Sequence, residues 1–206
     1  MRIDVFTAQP DRAGRYKVQF SDGTVMRLYK QTVQDFGLYS GLELTEEEYM
    51  RLQQAAKQMS AKMRAVRIVS ASSVSKKDLE QRLIQKGEDA SCAKEAVAWM
   101  EELSLVDDRK TAEQIVSRCI SKGYGLSRAK QALFEKRIPK EYWQEVLEDY
   151  PDQQDAIRTY IENHLSDPSD RKELKKVIDA LLRKGHSYSA IRRAMDCADM
   201  LEEEYG

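Results

Sequence analysis

Apolar and polar residues alternate in the first part of the chain. The segments IDVF and RYKVQF follow this pattern, and the Asp-Gly pair of SDGT separates RYKVQF from VMRLY. Alternation on both sides of an Asp-Gly pair is typical of a tight β-hairpin, because glycine adopts the backbone angles that such a turn requires. We predict strands at Arg2 to Phe6, Tyr16 to Phe20 and Thr24 to Leu28, then a short helix in KQTVQDFG that ends at Gly37.

The pattern changes to a helical period from Thr45 onward. Thr45 and Glu48 have the spacing of a capping box, in which each side chain accepts a backbone N–H at the start of a helix. The segment EEEYMRLQQAAKQMSAKMRAVRIV then places apolar residues three and four positions apart, as in a helix with one buried face. Almost all of the remaining chain is predicted to be helical.

Three segments of this helical part resemble one another. They are LIQKGEDASCAKEAVAWM (83 to 100), LFEKRIPKEYWQEVLEDY (133 to 150) and LLRKGHSYSAIRRAMDCA (181 to 198). Each segment opens with two apolar residues, reaches a lysine, and turns at Gly87, Arg137 or Gly185. The lysines, at 86, 136 and 184, are 50 and 48 residues apart. This period predicts a mainly α fold of tandem three-helix repeats that form an elongated, curved array with a small β-rich N-terminal region.

The repeat assigns boundaries to four parts of the chain. We predict a β-rich region at 1–44 and three-helix repeats at 45–108, 109–151 and 152–206. The predicted leading helices span 48–69, 109–122 and 153–165, and the trailing helices span 90–103, 139–150 and 187–203. The middle helices are predicted to begin behind Ser75, Ser127 and Asp170, whose side-chain oxygens can accept backbone N–H groups.

Composition excludes several classes of protein. No apolar run approaches the roughly 20 residues of a membrane-spanning helix, and the N-terminus lacks the apolar block of a signal peptide, so we expect a cytoplasmic protein without a membrane partner. The three cysteines lie far apart, which fits a reducing compartment and neither a disulfide framework nor a zinc site. There is no phosphate-binding glycine loop and no nucleophile with a base, so we predict no enzyme activity and no cofactor.

Asp107 and Asp108 are the residues most suggestive of chemistry. Neither a calcium-loop motif nor a set of His or Glu residues accompanies them, and adjacent side chains point apart, which disfavours a metal site or an acid–base pair. A carboxylate at a helix start accepts free N–H groups and lies at the positive end of the helix dipole. We predict that both aspartates begin a helix and that the chain binds no metal.

Basic residues cluster although the formal net charge of the chain is only −1. Residues 122–140 carry six positive side chains against one carboxylate, and residues 167–196 within the third repeat carry eight against five, a local excess of three. Such clusters attract phosphates or acidic protein surfaces, but charged helix faces are also common where nothing binds. Charge alone favours the solvated helix face. The candidate basic residues are Lys122, Arg128, Lys130, Lys136, Arg137, Lys140, Lys175, Lys176, Arg192 and Arg193.

Aromatic residues are further candidates, because they can stack on nucleobases. Trp99 and Trp143 recur with apolar neighbours at helical spacing, which predicts core packing. Tyr124 lies between two glycines in the turn KGYGLS and is the better candidate for an exposed contact. Packing of this tyrosine against a neighbouring repeat is an equal alternative.

The helical part resembles the RecX family, bacterial regulators of the RecA recombinase. The resemblance covers about residues 60–200 and rests on AVRIVSASSVSKKDLEQRLIQKG, on ELSLVDDRKTAEQIVSRCISKGYGLSRAKQALFEKRIP and on the third repeat. The middle block is the most specific, and Asp107 and Asp108 belong to it as family markers.

The resemblance implies a function. A RecX-like protein would bind as a monomer within RecA filaments on single-stranded DNA, touching the DNA directly or only through the filament. It would limit filament growth, strand exchange and co-protease activity. With this resemblance, the interpretation of the basic cluster at 122–140 as a binding surface becomes the preferred one, although not for every residue in it. The alternative is a helical-repeat protein that binds nucleic acid or acts as an adaptor without a recombinase partner.

Overall fold

The computed structural model describes the backbone of residues 1–205 and the side chains of residues 1–196. The fold is mainly α with a three-stranded sheet at the N-terminus, which confirms the predicted fold class. The chain divides into an N-terminal unit, Met1–Val106, and a C-terminal unit, Asp107–Gly206. Across the described residues, we find no helix with the length and apolar character needed to cross a membrane.

The sheet begins the N-terminal unit. Strands β1 (Ile3–Phe6), β2 (Arg15–Phe20) and β3 (Val25–Tyr29) are antiparallel in the order β1-β2-β3, and α1 spans Lys30–Asp35. The predicted hairpin is therefore confirmed within one residue at each strand end. Alternate side chains of the strands face inward and form an apolar core with Leu52, which lies in the long helix after α1.

Three helices complete the N-terminal unit: α2 (Glu46–Ala71), α3 (Lys76–Gln85) and α4 (Ala90–Glu102). The capping box is confirmed, since the Thr45 side chain accepts from the Glu48 N–H while a Glu48 oxygen accepts from the Thr45 N–H at 2.8 Å. Small residues on α2 allow α3 and α4 to pack closely against it, and Trp99 contacts this core as predicted.

The C-terminal unit contains two groups of helices. The first comprises α5 (Asp108–Ser121), α6 (Leu126–Glu135), a 3-10 helix (Lys140–Tyr142) and α7 (Trp143–Leu147). The second comprises α8 (Gln154–His164), α9 (Arg171–Arg183) and α10 (Tyr188–Tyr205). Each group has its own apolar core, and Trp143 packs against the first. The division of the helical part into three repeats at the predicted boundaries stays a prediction.

Two predicted details of the C-terminal unit are wrong. The cap of α6 is Gly125 and not Ser127, because the helix begins at Leu126. The single predicted helix at 139–150 is a 3-10 turn followed by only five α-helical residues. The three predicted turns are confirmed, since Gly87, Arg137 and Gly185 all have positive φ angles, of 88°, 53° and 89°.

Candidate functional site

Asp107 and Asp108 lie at the start of α5. Asp107 is the N-cap, and its carboxylate accepts a hydrogen bond from the backbone N–H of Lys110 at 3.0 Å. Asp108 occupies the first turn and its side chain is buried. Among the residues whose side chains are described, no group of three or more His, Cys, Asp and Glu side chains is placed to hold a metal ion.

The basic residues around α6 differ in how far their charges are already compensated. Arg128 pairs with Glu135 at 3.1 Å, and Gln131 donates to the same carboxylate at 2.9 Å. Lys130 and Lys140 are exposed, and neither forms an ion pair with a described side chain. These two lysines therefore keep an uncompensated charge at the surface.

The remaining predicted residues of this region differ in exposure. Lys136 and Arg137 are half-buried. Lys122 is exposed, and its Nζ lies 6.0 Å from the centroid of the Tyr124 ring. Tyr124 is itself half-buried, and its carbonyl accepts a hydrogen bond from the Tyr150 hydroxyl at 2.6 Å. The turn that contains Tyr124 is thus held in place partly through its backbone carbonyl.

Helix α9 presents a second set of exposed lysines. Val177 and Leu181 of α9 are buried, while Lys175 and Lys176 lie on its exposed face. Neither of these lysines forms an ion pair with a described side chain. The α10 arginines differ, because Arg192 pairs with Asp196 at 3.8 Å and Arg193 with Asp152 at 3.6 Å. The uncompensated positive charge of the predicted α9 and α10 residues therefore lies on α9.

The turn before α6 packs against the turn after α9 with almost no space between the two backbones. The Gly125 N–H donates to the Lys184 carbonyl at 3.0 Å. The Gly123 carbonyl lies 3.0 Å from His186 Nε2, which serves as the donor of this contact. A Cβ on Gly185 would lie 2.6 Å from the Arg128 Cβ, so only glycine fits. This contact, which we call the glycine joint, connects the two helix groups of the C-terminal unit.

His186 is buried in the glycine joint. Burial lowers the pKa of His186 below its ordinary value of 6.5, because the charged imidazolium loses water, although the hydrogen bond to Gly123 opposes the shift. The unfolded chain therefore takes up this proton at a higher pH than the folded chain does, so stability falls as the pH drops through 6.5 toward the folded pKa.

We expect the melting temperature of the wild-type protein to fall between about pH 7.5 and about pH 5, and His186→Gln to weaken that dependence. Thermal melts of both proteins across this range, followed by circular dichroism, measure the difference. The account of His186 is wrong if the two proteins lose the same number of degrees.

Sequence reasoning missed one prominent residue. Phe134 is the most exposed large apolar side chain among those described, at 70% of its full accessible area. In the sequence it is only one of the two apolar residues that open the similar segment at 133–150. The signal was present in that pair, since a helix that buries Leu133 turns the next residue about 100° away from the core.

Comparison with known proteins identifies relatives of the chain. A family model described as RecX, third three-helix domain, matches residues 152–195. A protein of Caldanaerobacter subterraneus subsp. tengcongensis named Regulatory protein RecX is 25% identical over 189 residues, which cover 90% of this chain and 94% of the relative. A protein of the same name from Clostridioides difficile is 23% identical and covers 88% of both chains.

Solved structures support the fold. One, titled "Crystal structure of regulatory protein RecX", has a TM-score of 0.64 at 21% identity and covers 95% of this chain and 98% of its own. Another, of RecX from Lactobacillus salivarius, has a TM-score of 0.61 at 24% identity over 71% of this chain and 99% of its own. The fold of this chain is therefore similar to these structures, although the sequence identities are only 21% and 24%.

Proposed function

Because the chain belongs to the RecX family, we propose that it regulates the RecA recombinase by binding RecA filaments on single-stranded DNA. Binding would limit filament growth, strand exchange and co-protease activity. Its relatives are named regulatory proteins, which supports a role exerted through binding and without catalysis. We further propose that the protein acts as a monomer in the cytoplasm.

The observation that carries this proposal is the set of lysines without a carboxylate partner. Lys130, Lys140, Lys175 and Lys176 are exposed, and none of them forms an ion pair with a described side chain. An exposed ammonium already paired with a carboxylate has little attraction left for a new partner, whereas an unpaired one attracts phosphates and displaces their counterions. A nucleoprotein filament presents such negative charges along its whole length.

The double substitution Lys175→Glu/Lys176→Glu tests this surface. Reversing both charges should weaken binding to RecA filaments about tenfold or more and flatten the dependence of affinity on salt, because two charge contacts are lost. Fluorescence anisotropy of labelled protein, titrated with preformed filaments at several salt concentrations, gives both quantities. Folding is checked by the melting temperature, which should change little because both side chains are exposed.

Lys77→Glu/Lys94→Glu is the matched control. It makes the same change in net charge at two exposed lysines of the N-terminal unit. If both double variants lose the same affinity, the attraction is general and the proposed surface is wrong. Titration with bare single-stranded DNA separates the alternative function, since a protein without a recombinase partner would bind bare DNA at least as well as the filament.

A further inference from the structure

An exposed apolar side chain occupies the same position in all three middle helices. It directly follows a leucine that is completely buried, in the last turn of α3, α6 and α9. The buried leucines are Leu83, Leu133 and Leu181, each 0% exposed. The exposed residues that follow them are Ile84 at 43%, Phe134 at 70% and Leu182 at 42%. We call these three exposed residues the apolar knobs.

The fold itself gives no reason for the apolar knobs. The buried leucine of each pair already fills the core, and the residue after it keeps 42–70% of its area exposed, so core packing does not require that residue to be apolar. A single exposed apolar residue is ordinary on a protein surface, but the same one in every copy of a repeat is not explained in that way. A recurring exposed apolar group indicates a recurring contact with a partner.

Their chemistry distinguishes a protein partner from nucleic acid. Only Phe134 is aromatic, whereas its equivalents Ile84 and Leu182 are aliphatic and have no ring to stack on a base. The property that all three share is apolar volume, which fits a pocket in a protein surface. Three copies of one knob suit a partner that offers the same pocket many times, as a polymer of identical subunits does.

The charges near Phe134 indicate which charge the rim of such a pocket in the partner would carry. Lys130 lies one helical turn before Phe134 on the exposed face of α6 and forms no ion pair with a described side chain. Glu135, the adjacent carboxylate, is already paired with Arg128 at 3.1 Å. The surroundings of Phe134 are therefore positive overall, so an acidic rim on the partner would be complementary.

We propose that the apolar knobs, with Phe134 foremost, insert into acid-rimmed apolar pockets that recur along a polymer of identical protein subunits. This inference rests on the proposed function and identifies the protein subunits of the filament, and not its DNA, as what these side chains touch. Phe134 has the largest exposed fraction of the three and should contribute most.

Two substitutions of one residue separate apolar volume from aromatic stacking. Phe134→Ala should weaken binding to RecA filaments on single-stranded DNA about 10- to 100-fold, since a buried aromatic anchor is lost. Phe134→Leu restores the side chain that the chain uses at Leu182 and should stay within about threefold of wild type. Filament binding is measured by anisotropy, and thermal melts of both variants should match wild type because Phe134 makes little core contact.

Leu126→Ala is the control, because Leu126 is another exposed apolar residue of α6, at 40%, but lies outside the repeated position. It should bind as wild type does. The inference is overturned if Phe134→Ala binds normally, or if Phe134→Leu loses as much as Phe134→Ala, which would indicate stacking on bases. If the wild-type protein itself does not bind filaments, the proposed function fails first. If the wild-type protein binds filaments with the expected salt dependence and Phe134→Ala binds them equally well, only this inference fails.

Discussion

Replacing Gly125 with serine is expected to destabilise the C-terminal unit by about 3 kcal/mol or more, although serine is ordinarily one of the preferred residues at a helix N-cap. Gly125 caps α6, and its backbone packs directly on Gly185 and His186. An added Cβ would overlap the Gly185 carbonyl and lie 2.5 Å from the His186 nitrogen. Because both neighbours are backbone atoms, they can move aside only by opening the glycine joint.

Two further substitutions separate this close approach from ordinary backbone strain. Gly87 and Gly185 end α3 and α9 at the same place in the repeat, with φ angles of 88° and 89°. A Cβ on Gly87 would meet nothing within 4 Å, whereas a Cβ on Gly185 would lie 2.4 Å from the Arg128 nitrogen, well inside the 3.0 Å below which a neighbouring atom has to shift. Gly87→Ala should therefore cost only the positive-φ strain of about 1 kcal/mol, and Gly185→Ala clearly more.

Urea unfolding of the full chain, followed by circular dichroism, measures all three variants against wild type. The glycine joint contributes to stability as described if Gly125→Ser and Gly185→Ala both lower the unfolding midpoint much further than Gly87→Ala does. A Gly125→Ser protein as stable as wild type would show that the two turns are not in close contact.

The parts of the fold set by local sequence could be predicted. The Asp-Gly hairpin, the Thr45 capping box and the Ser75 cap depend on residues within a few positions of one another, and each prediction is confirmed. The cap of α6 could not be predicted in the same way. Ser127 is the better local choice, but Gly125 is required by a turn some 60 residues further along the chain.

The candidate surface shows the same limit. Counting charges identifies a basic region but not which side chains are already paired. The pair between Arg192 and Asp196 follows helical spacing, whereas the pair between Arg193 and Asp152 joins positions distant in sequence. The exposed lysines could be separated from these arginines only once the helices were in place. Phe134 was visible in the sequence as an apolar residue, but its exposure was not.

A regulator of filament growth should inhibit RecA at protein levels far below one molecule per RecA subunit. ATP hydrolysis on single-stranded DNA is the sum over all subunits of a filament, so one molecule that stops growth removes the contribution of every later subunit. A protein that merely competes for DNA removes only the stretch it covers, a few to about 16 nucleotides for typical single-strand binders. The two mechanisms therefore differ strongly in the amount of protein that they require.

The most direct measurement is RecA-driven ATP hydrolysis on single-stranded DNA, followed during titration with the purified protein at fixed RecA and DNA. We predict that hydrolysis falls to a small fraction of its initial rate at strongly sub-stoichiometric protein, and that Lys175→Glu/Lys176→Glu shifts the titration to higher concentration. Hydrolysis that stays unchanged until the protein is sufficient to coat the DNA would contradict the account.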